Sequence, residues 1–490
     1  MKRRAAAEAN DEEEAFPRGR TGGDRGTARP PAEVAAEHDD GDEPLLDTNT
    51  KGRGKGKKGR KGEDEEDVQP LPQEIKHINR LRLIDVVEGT VLIGAVRDAN
   101  EEELTLNLPY NLLGFCARAE ALEVAEASEV GRASLPDLYP PGTVVVAVVI
   151  AVVELNGKTQ RIEVSLRPAL ANAGLTAESL QQHMWLPAVV QDAEEHVLKL
   201  NFGVEKLVGL LKKSELSHLG GLPQAGTILM VAVQAVNAAS GTVRCSLTSS
   251  EPIGPEPIEQ VQLKAGLLVS ARVKKVIYSD DAVAGLVTNF NGAITAILHV
   301  HHQGSAVDGI PEFKRNQRVT ARILAVVPPV QIGSPATVHL TLLPHLLDWT
   351  AQAKSLMQLA SIGDRLEGEV LDYKPKFGCK LLCERTQKDQ TLGRLPGFCA
   401  GPRLCAKDSD PPPSSVAAGF KTEYRVLAYN FLDGLVMLTR RPADLEEGVL
   451  VSIAELSPGE YVIGTVNRVA DHGIFVELSD YVTGHVHLRQ

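Results

Sequence analysis

Between residues 80 and 490 the apolar residues come in short runs, many of them alternating with polar ones, and Gly, Asn and Asp punctuate the runs. Alternation with a period of two marks half-buried strands, and the punctuating residues mark turns. Helical periodicity shows only around Ala117–Glu129 and Thr350–Leu359. The longest apolar run, Val144 to Val153, falls short of the roughly 18 residues of a membrane span and suits a buried strand. The pattern predicts an all-β body.

That pattern repeats. Four segments open with Gly and continue as a strand: Gly89-Thr-Val-Leu-Ile-Gly-Ala-Val96, Gly266-Leu-Leu-Val-Ser-Ala-Arg-Val273, Gly363-Asp-Arg-Leu-Glu-Gly-Glu-Val370 and Gly459-Glu-Tyr-Val-Ile-Gly-Thr-Val466. The last two intervals are 97 and 96 residues, and the 177 residues from Gly89 to Gly266 leave room for two units. The additional unit is visible at Trp185-Leu-Pro-Ala-Val-Val-Gln-Asp-Ala193, without the opening Gly. Each unit has a second half, a turn followed by strands such as Gly142–Val148 with Arg161–Leu166, or Gly226–Val233 with Thr242–Leu247. About five short strands per unit fit a small closed Greek-key barrel of the oligonucleotide-binding (OB) fold, an architecture that leaves no sheet edge exposed. The expected units are a charged tail at 1–79, barrels at 80–170, 181–250, 262–346 and 360–442, and a fifth at 455–490 that stops after its third strand. A barrel cut there leaves open strand edges, so the chain is expected to be a piece of a longer protein.

Composition sharpens this picture. Residues 1 to about 70 are rich in Glu, Asp, Gly, Arg, Lys and Ala, and such a segment buries too little apolar surface to offset chain entropy. Within it, seven cations lie between Lys51 and Lys61, among them Lys55, Lys57, Lys58, Arg60 and Lys61, as in a nuclear import signal. Six cysteines in 490 residues are too sparse for a disulfide scaffold. A formal net charge of −12 argues against a protein that coats duplex DNA or an anionic membrane, but single-strand binding needs only a local groove and stacking platforms.

Three blocks in the fifth unit fall in order: Gly459 to Val469, Asp471-His-Gly-Ile-Phe-Val-Glu-Leu478, and Gly484-His-Val-His487. They resemble the S-one RNA-binding domain, and the other units share its frame. The chain as a whole is similar to the N-terminal part of the multi-repeat nucleolar factors of pre-ribosomal RNA processing. The Phe16-Pro17-Arg18-Gly19 motif and Leu104-Thr-Leu-Asn-Leu-Pro-Tyr-Asn-Leu-Leu-Gly-Phe115 carry that likeness. The resemblance implies RNA-binding positions at two aromatics, a third-strand His and a basic residue near the closing strand. Carried over, these are Phe475, His472 in place of the first aromatic, and His487 in the fifth unit. In the fourth they are Phe377 and Lys380, in the third His299, and in the first and second Arg161 and Arg244. Phe16, Pro17, Arg18 and Gly19 form a candidate docking motif for a protein partner.

The cysteine pairs Cys379/Cys383 and Cys399/Cys405 lack the spacing of a zinc knuckle, and His299, His301 and His302 lack a nearby carboxylate pair. No Walker loop, nucleophile elbow or kinase signature is present. The expectation is a non-enzymatic, cofactor-free RNA-binding scaffold of ribosome biogenesis in the nucleus and nucleolus. Its expected partners are single-stranded or pre-ribosomal RNA and other assembly proteins, with no membrane and no small-molecule substrate. The alternatives are a bacterial or organellar ribosomal protein with the same repeats, and the accessory RNA-binding part of a ribonuclease.

Overall fold

The computed structural model describes residues 75–487 apart from 76, 123–133, 156–158, 220–221, 280–281, 293, 305–310, 330–333, 349–352, 376, 388–389, 407–410, 412, 447 and 471. Phe16, Pro17, Arg18 and Gly19 and the cations from Lys55 to Lys61 lie outside the described residues.

The body is a string of five-stranded barrels. Barrel 1 comprises β1 (Val91–Ala99), β2 (Glu103–Leu108), β3 (Leu112–Ala117), β4 (Val144–Leu155) and β5 (Thr159–Ser165). Barrel 2 comprises β6 (Trp185–Ala193), β7 (Val197–Asn201), β8 (Val208–Lys212), β9 (Ile228–Asn237) and β10 (Thr242–Ser246). Barrel 3 comprises β11 (Leu268–Ser279), β12 (Ala282–Phe290), β13 (Ile294–His299), β14 (Arg318–Val327) and β15 (Thr337–Thr341). Barrel 4 comprises β16 (Arg365–Lys374), β17 (Gly378–Gln387), β18 (Gln390–Ala400), β19 (Lys421–Asn430) and β20 (Leu435–Thr439). A three-stranded sheet follows, made of β21 (Thr465–Ala470), β22 (Gly473–Glu477) and β23 (Thr483–His487).

In every barrel the first strand pairs with the second at one end and with the fourth at the other, and the third pairs in parallel with the fifth. The first strand also bends along its length. The register slips by one residue after Val96, Val190, Val273, Val370 and Val466, the same place in all five units. A bulge of this kind raises the local twist and turns the strand from one sheet direction to the other. The turn before the fourth strand is hydrogen-bonded back to that bulge, and it requires a left-handed residue. Gly142, Gly226 and Gly419 supply it in barrels 1, 2 and 4, and Asn316 does so in barrel 3, at a φ of 68°. Asn tolerates this conformation better than other residues with a Cβ, which is why the sequence of the third unit lacks the Gly there.

The barrels are not independent beads. β1 of barrel 1 pairs with β14 of barrel 3 at Val91–Val326 and Leu92–Ala325, so these two barrels share one continuous sheet. The Asn172 amide, between barrels 1 and 2, donates to the carbonyls of Pro187 and Phe202 at 2.9 Å each. His345 Nε2 lies 2.8 Å from the Leu432 carbonyl of barrel 4, and Phe431 N donates to Asn107 Oδ1 of barrel 1 at 3.2 Å. The interiors are aliphatic, with Leu92, Leu106, Ile162, Leu198, Val243, Leu286, Leu340, Leu381 and Leu438 buried. Cys379 and Cys383 share one buried face of β17. Among the described residues no helix is long and apolar enough to cross a membrane, and no group of three or more His, Cys, Asp or Glu is placed to hold a metal.

Candidate nucleic-acid interface

The terminal sheet presents a platform of rings. Its register sets Arg468 of β21, Phe475 of β22 and His485 of β23 in one cross-strand row. Residues directly opposite on neighbouring strands point to the same face, so their side chains meet. The Phe475 and His485 rings stack, with centroids 4.8 Å apart and planes at 27°. His472 stands edge-on to Phe475 at 5.7 Å and lies tilted against His485 at 5.5 Å. His487 lies 6.1 Å from His485 at 81°. Gly473 makes this possible, because a Cβ there would overlap His485 Nε2 and the Val486 carbonyl. Phe475 is half-buried, while Arg468, His472, His485 and His487 are exposed. A base of a single strand has a π-face that extends such a stack, and an adjacent cation meets its phosphate.

The structure thus brings together Phe475, His472 and His487 of the sequence expectation. It adds two residues that the expectation passes over, His485 and Arg468. His485 sits at the centre of the cluster. The family resemblance points to His487, and only the cross-strand register reveals that His485 is the residue opposite Phe475.

Elsewhere all the expected positions but Arg244 are drawn into contacts within the chain. Phe377, 51% exposed beside β17, carries the Arg80 guanidinium over its ring at 4.5 Å. Lys380 is half-buried and its pKa falls to about 8, first through burial. Its charge acts on His299 and His301 across the junction of barrels 3 and 4. His299 itself is half-buried, accepts the His301 backbone N–H at 3.2 Å, and lies edge-on to Tyr110 of barrel 1 at 5.3 Å. Arg161 pairs with Glu103 and lies 3.8 Å from Glu163, with its guanidinium over Phe115 at 4.0 Å. Arg244 remains exposed and borders a shallow groove with Leu210, Asn237, Ser240 and Thr242.

Around Tyr110 the junction of barrels 1, 3 and 4 becomes a buried polar layer. His302 is fully enclosed, with Nδ1 at 3.1 Å from Thr341 Oγ1 and Nε2 at 3.6 Å from Asp433 Oδ1. Burial pushes His302 well below the usual imidazole range and His339 down to about 4. Burial also lifts the Asp433 carboxyl to about 6, against the Asn430 hydrogen bond at 2.8 Å that lowers it. The histidines in the third unit therefore tie barrels together, and barrel 3 does not present them as an open face.

Comparison with known proteins follows the same line. No family model matches the chain. The chain is 28% identical to the Protein RRP5 homolog of Homo sapiens, over 97% of this chain and 25% of the relative. It is 24% identical to the rRNA biogenesis protein rrp5 of Schizosaccharomyces pombe, over 84% of this chain and 25% of the relative. This chain is similar to RRP5. It spans about a quarter of the length of the curated RRP5 relatives it matches. The RRP5 likeness runs across the tandem five-stranded barrels, which are consistent with S-one repeats. A solved multidomain protein with nucleic acid binding domains from Streptococcus pneumoniae aligns over 53% of this chain at 12% identity. Its TM-score of 0.13 is too low to relate the two folds.

Proposed function

We propose that this chain is the RNA-binding scaffold part of a ribosome-biogenesis protein, acting in pre-ribosomal RNA processing and early small-subunit assembly in the nucleolus. The observation that carries the reading is the Phe475–His485 stack with Arg468 in the same row, set at the end of a string of barrels whose curated relatives are named for rRNA biogenesis. Ring platform and cation together suit a single strand, whose bases are free to stack. The reading is non-catalytic: the barrels hold RNA and position proteins. The buried junction of barrels 1, 3 and 4 supports the scaffold half of it, since a fixed arrangement of barrels defines one surface for assembly partners. Tandem sites on one body also raise avidity through effective concentration.

The test is ultraviolet cross-linking of the tagged chain in cells, followed by sequencing of the attached RNA. Enrichment of precursor ribosomal RNA, spacers included, is the expected result. Recovery of mature ribosomal RNA and messenger RNA alone would instead favour a translation protein built from the same repeats.

A further inference from the structure

One face of barrel 3 concentrates positive charge in a way its sister barrels do not. Arg272 of β11 and Arg318 of β14 are direct cross-strand partners, and both are exposed. Like charges directly opposite on a sheet are destabilising. The corresponding pair is Ala95–Val144 in barrel 1 and Val189–Ile228 in barrel 2. In barrel 4 it is Glu369–Lys421, joined at 3.2 Å. The same position in the same fold is therefore apolar twice, oppositely charged once, and doubly positive only in barrel 3.

The neighbouring turn adds to the charge. Gln317 N donates to the Lys314 carbonyl at 3.1 Å, and Lys314 N donates to Gln317 Oε1 at 2.9 Å. Asn316 N donates to the Val273 carbonyl at 2.7 Å and Val273 N to the Gln317 carbonyl at 2.9 Å, which fastens the turn to β11 beside its bulge residue, Lys274. Lys314 and Arg315 are thereby held next to Arg272 and Lys274. The matching turn positions are Pro140 and Pro141 in barrel 1, Gln224 and Ala225 in barrel 2, and Ala417 and Ala418 in barrel 4. All five cations are exposed, and among the described residues none has an acidic partner.

We propose that this face of barrel 3 binds the phosphate backbone of single-stranded RNA, an inference that rests on the RNA-binding reading above. The guanidinium forks of Arg272, Arg315 and Arg318 match phosphate geometry. The exposed Ser270 and Thr320, themselves cross-strand partners, and the side chains of Asn316 and Gln317 add neutral groups for phosphate and ribose. A protein partner would need apolar anchors at the centre of its contact. Tyr278, further along β11, is the one exposed large apolar residue of barrel 3 among the described residues. Phe313, the ring next to Lys314, packs against the apolar core, so the contact follows the backbone and is indifferent to sequence. It gives barrel 3 an RNA contact separate from its histidines, which are taken up by the junction.

The experiment titrates the 490-residue chain against a fluorescent single-stranded RNA at several salt concentrations. Two variants are compared with the unaltered chain. Arg272→Glu recreates the opposite-charge pair of barrel 4 and so keeps the fold. Lys314→Ala combined with Arg315→Ala alters an exposed turn. Each lost phosphate contact lowers the slope of log affinity against log salt by about 0.7 for single strands, so the double variant is expected to lose about 1.4. Arg272→Glu is expected to weaken binding several-fold for every RNA sequence, with an unchanged or higher melting temperature. Unaltered affinity and slope in both variants, while the unaltered chain binds, overturns this proposal and leaves the RNA reading standing. Absence of RNA binding by the unaltered chain removes the reading and the proposal together. Loss of poly-glutamate binding in the variants, with RNA affinity unchanged, assigns the face to an acidic protein segment and also overturns the proposal.

Discussion

Tyr110 of barrel 1 stands edge-on against His302 of barrel 3, with ring centroids 4.9 Å apart and planes at 80°. Tyr110 reaches this place with a φ of 61°, a conformation costly for a residue with a bulky side chain. Burial of its ring among His299, His302 and His339 offsets the strain. Tyr110→Ala is therefore expected to destabilise the junction by about 3–5 kcal/mol, the range for removing a buried aromatic ring. Tyr110→Phe should stay within about 1 kcal/mol, since it loses one long contact to His339 Nδ1, 3.5 Å away. Hydrogen exchange of β2, β3 and β13 checks this. Equal protection in Tyr110→Ala and the unaltered chain would show that the junction does not depend on the ring.

The same layer sets a pH dependence. Burial holds His299 and His339 down to about 4 and His301 down to about 2, from 6.5, and lowers His302 and His345 as well. Lys380 and Lys374 of barrel 4 and Arg80 push His299 further down, and Asp85 acts the other way on His339. Because these folded-state values are below the unfolded one, the unfolded chain takes up protons first on acidification. Their contribution is complete above 6.5 and is lost as the pH falls toward 4. Asp433 has the opposite sign: raised from 3.8 to about 6, it disfavours folding above 6 and the penalty relaxes as the pH falls through that window. Lys380, lowered to about 8, has completed its change before the window opens. Five histidines outweigh one carboxyl, so the melting temperature should fall between pH 7 and pH 5. A rise over that interval would contradict the assignment.

Arg322 is wholly buried and donates to the carbonyls of Gly266, Leu346 and Leu347 at 2.7, 2.6 and 2.6 Å. Burial lowers its pKa to about 9. Arg425 fills the same position in barrel 4, donating to the Gly363 and Asp444 carbonyls and to Glu455. Each arginine ties its barrel to the segment that follows it. Arg322→Ala leaves buried carbonyls unpaired and should cost about 3–5 kcal/mol. Arg322→Lys should recover little, because a point charge cannot span the three acceptors. Urea unfolding followed by circular dichroism reports the loss, and Trp185, whose ring lies 5.3 Å from the guanidinium, contributes a fluorescence change. Full stability in Arg322→Lys would show that charge suffices without the fork.

Much of the fold is legible in the sequence, because a barrel strand writes itself as local alternation. Trp185–Ala193 is recognisable as a first strand, β6, even without its opening Gly, since the run keeps its apolar pattern and the bulge position. Within the two segments with a helical pattern, Arg118–Ala121 and Ala353–Leu359 are helical among the described residues. The pairing of β1 with β14 is not legible, because it joins apolar edges more than 200 residues apart and no local signal marks it. The same holds for His299: a strand-end His looks alike whether it meets solvent or Tyr110. In the terminal sheet Phe475 is legible from its motif. His485 is not, because its role comes from a register across two strands.

Direct RNA binding by this chain and by a platform variant tests the central claim. Fluorescence anisotropy of a single-stranded RNA is expected to show binding that weakens steeply with salt. Phe475→Ala combined with His485→Ala should cost about 1–3 kcal/mol for each base that no longer stacks. Absence of salt-sensitive binding at low ionic strength would contradict the account.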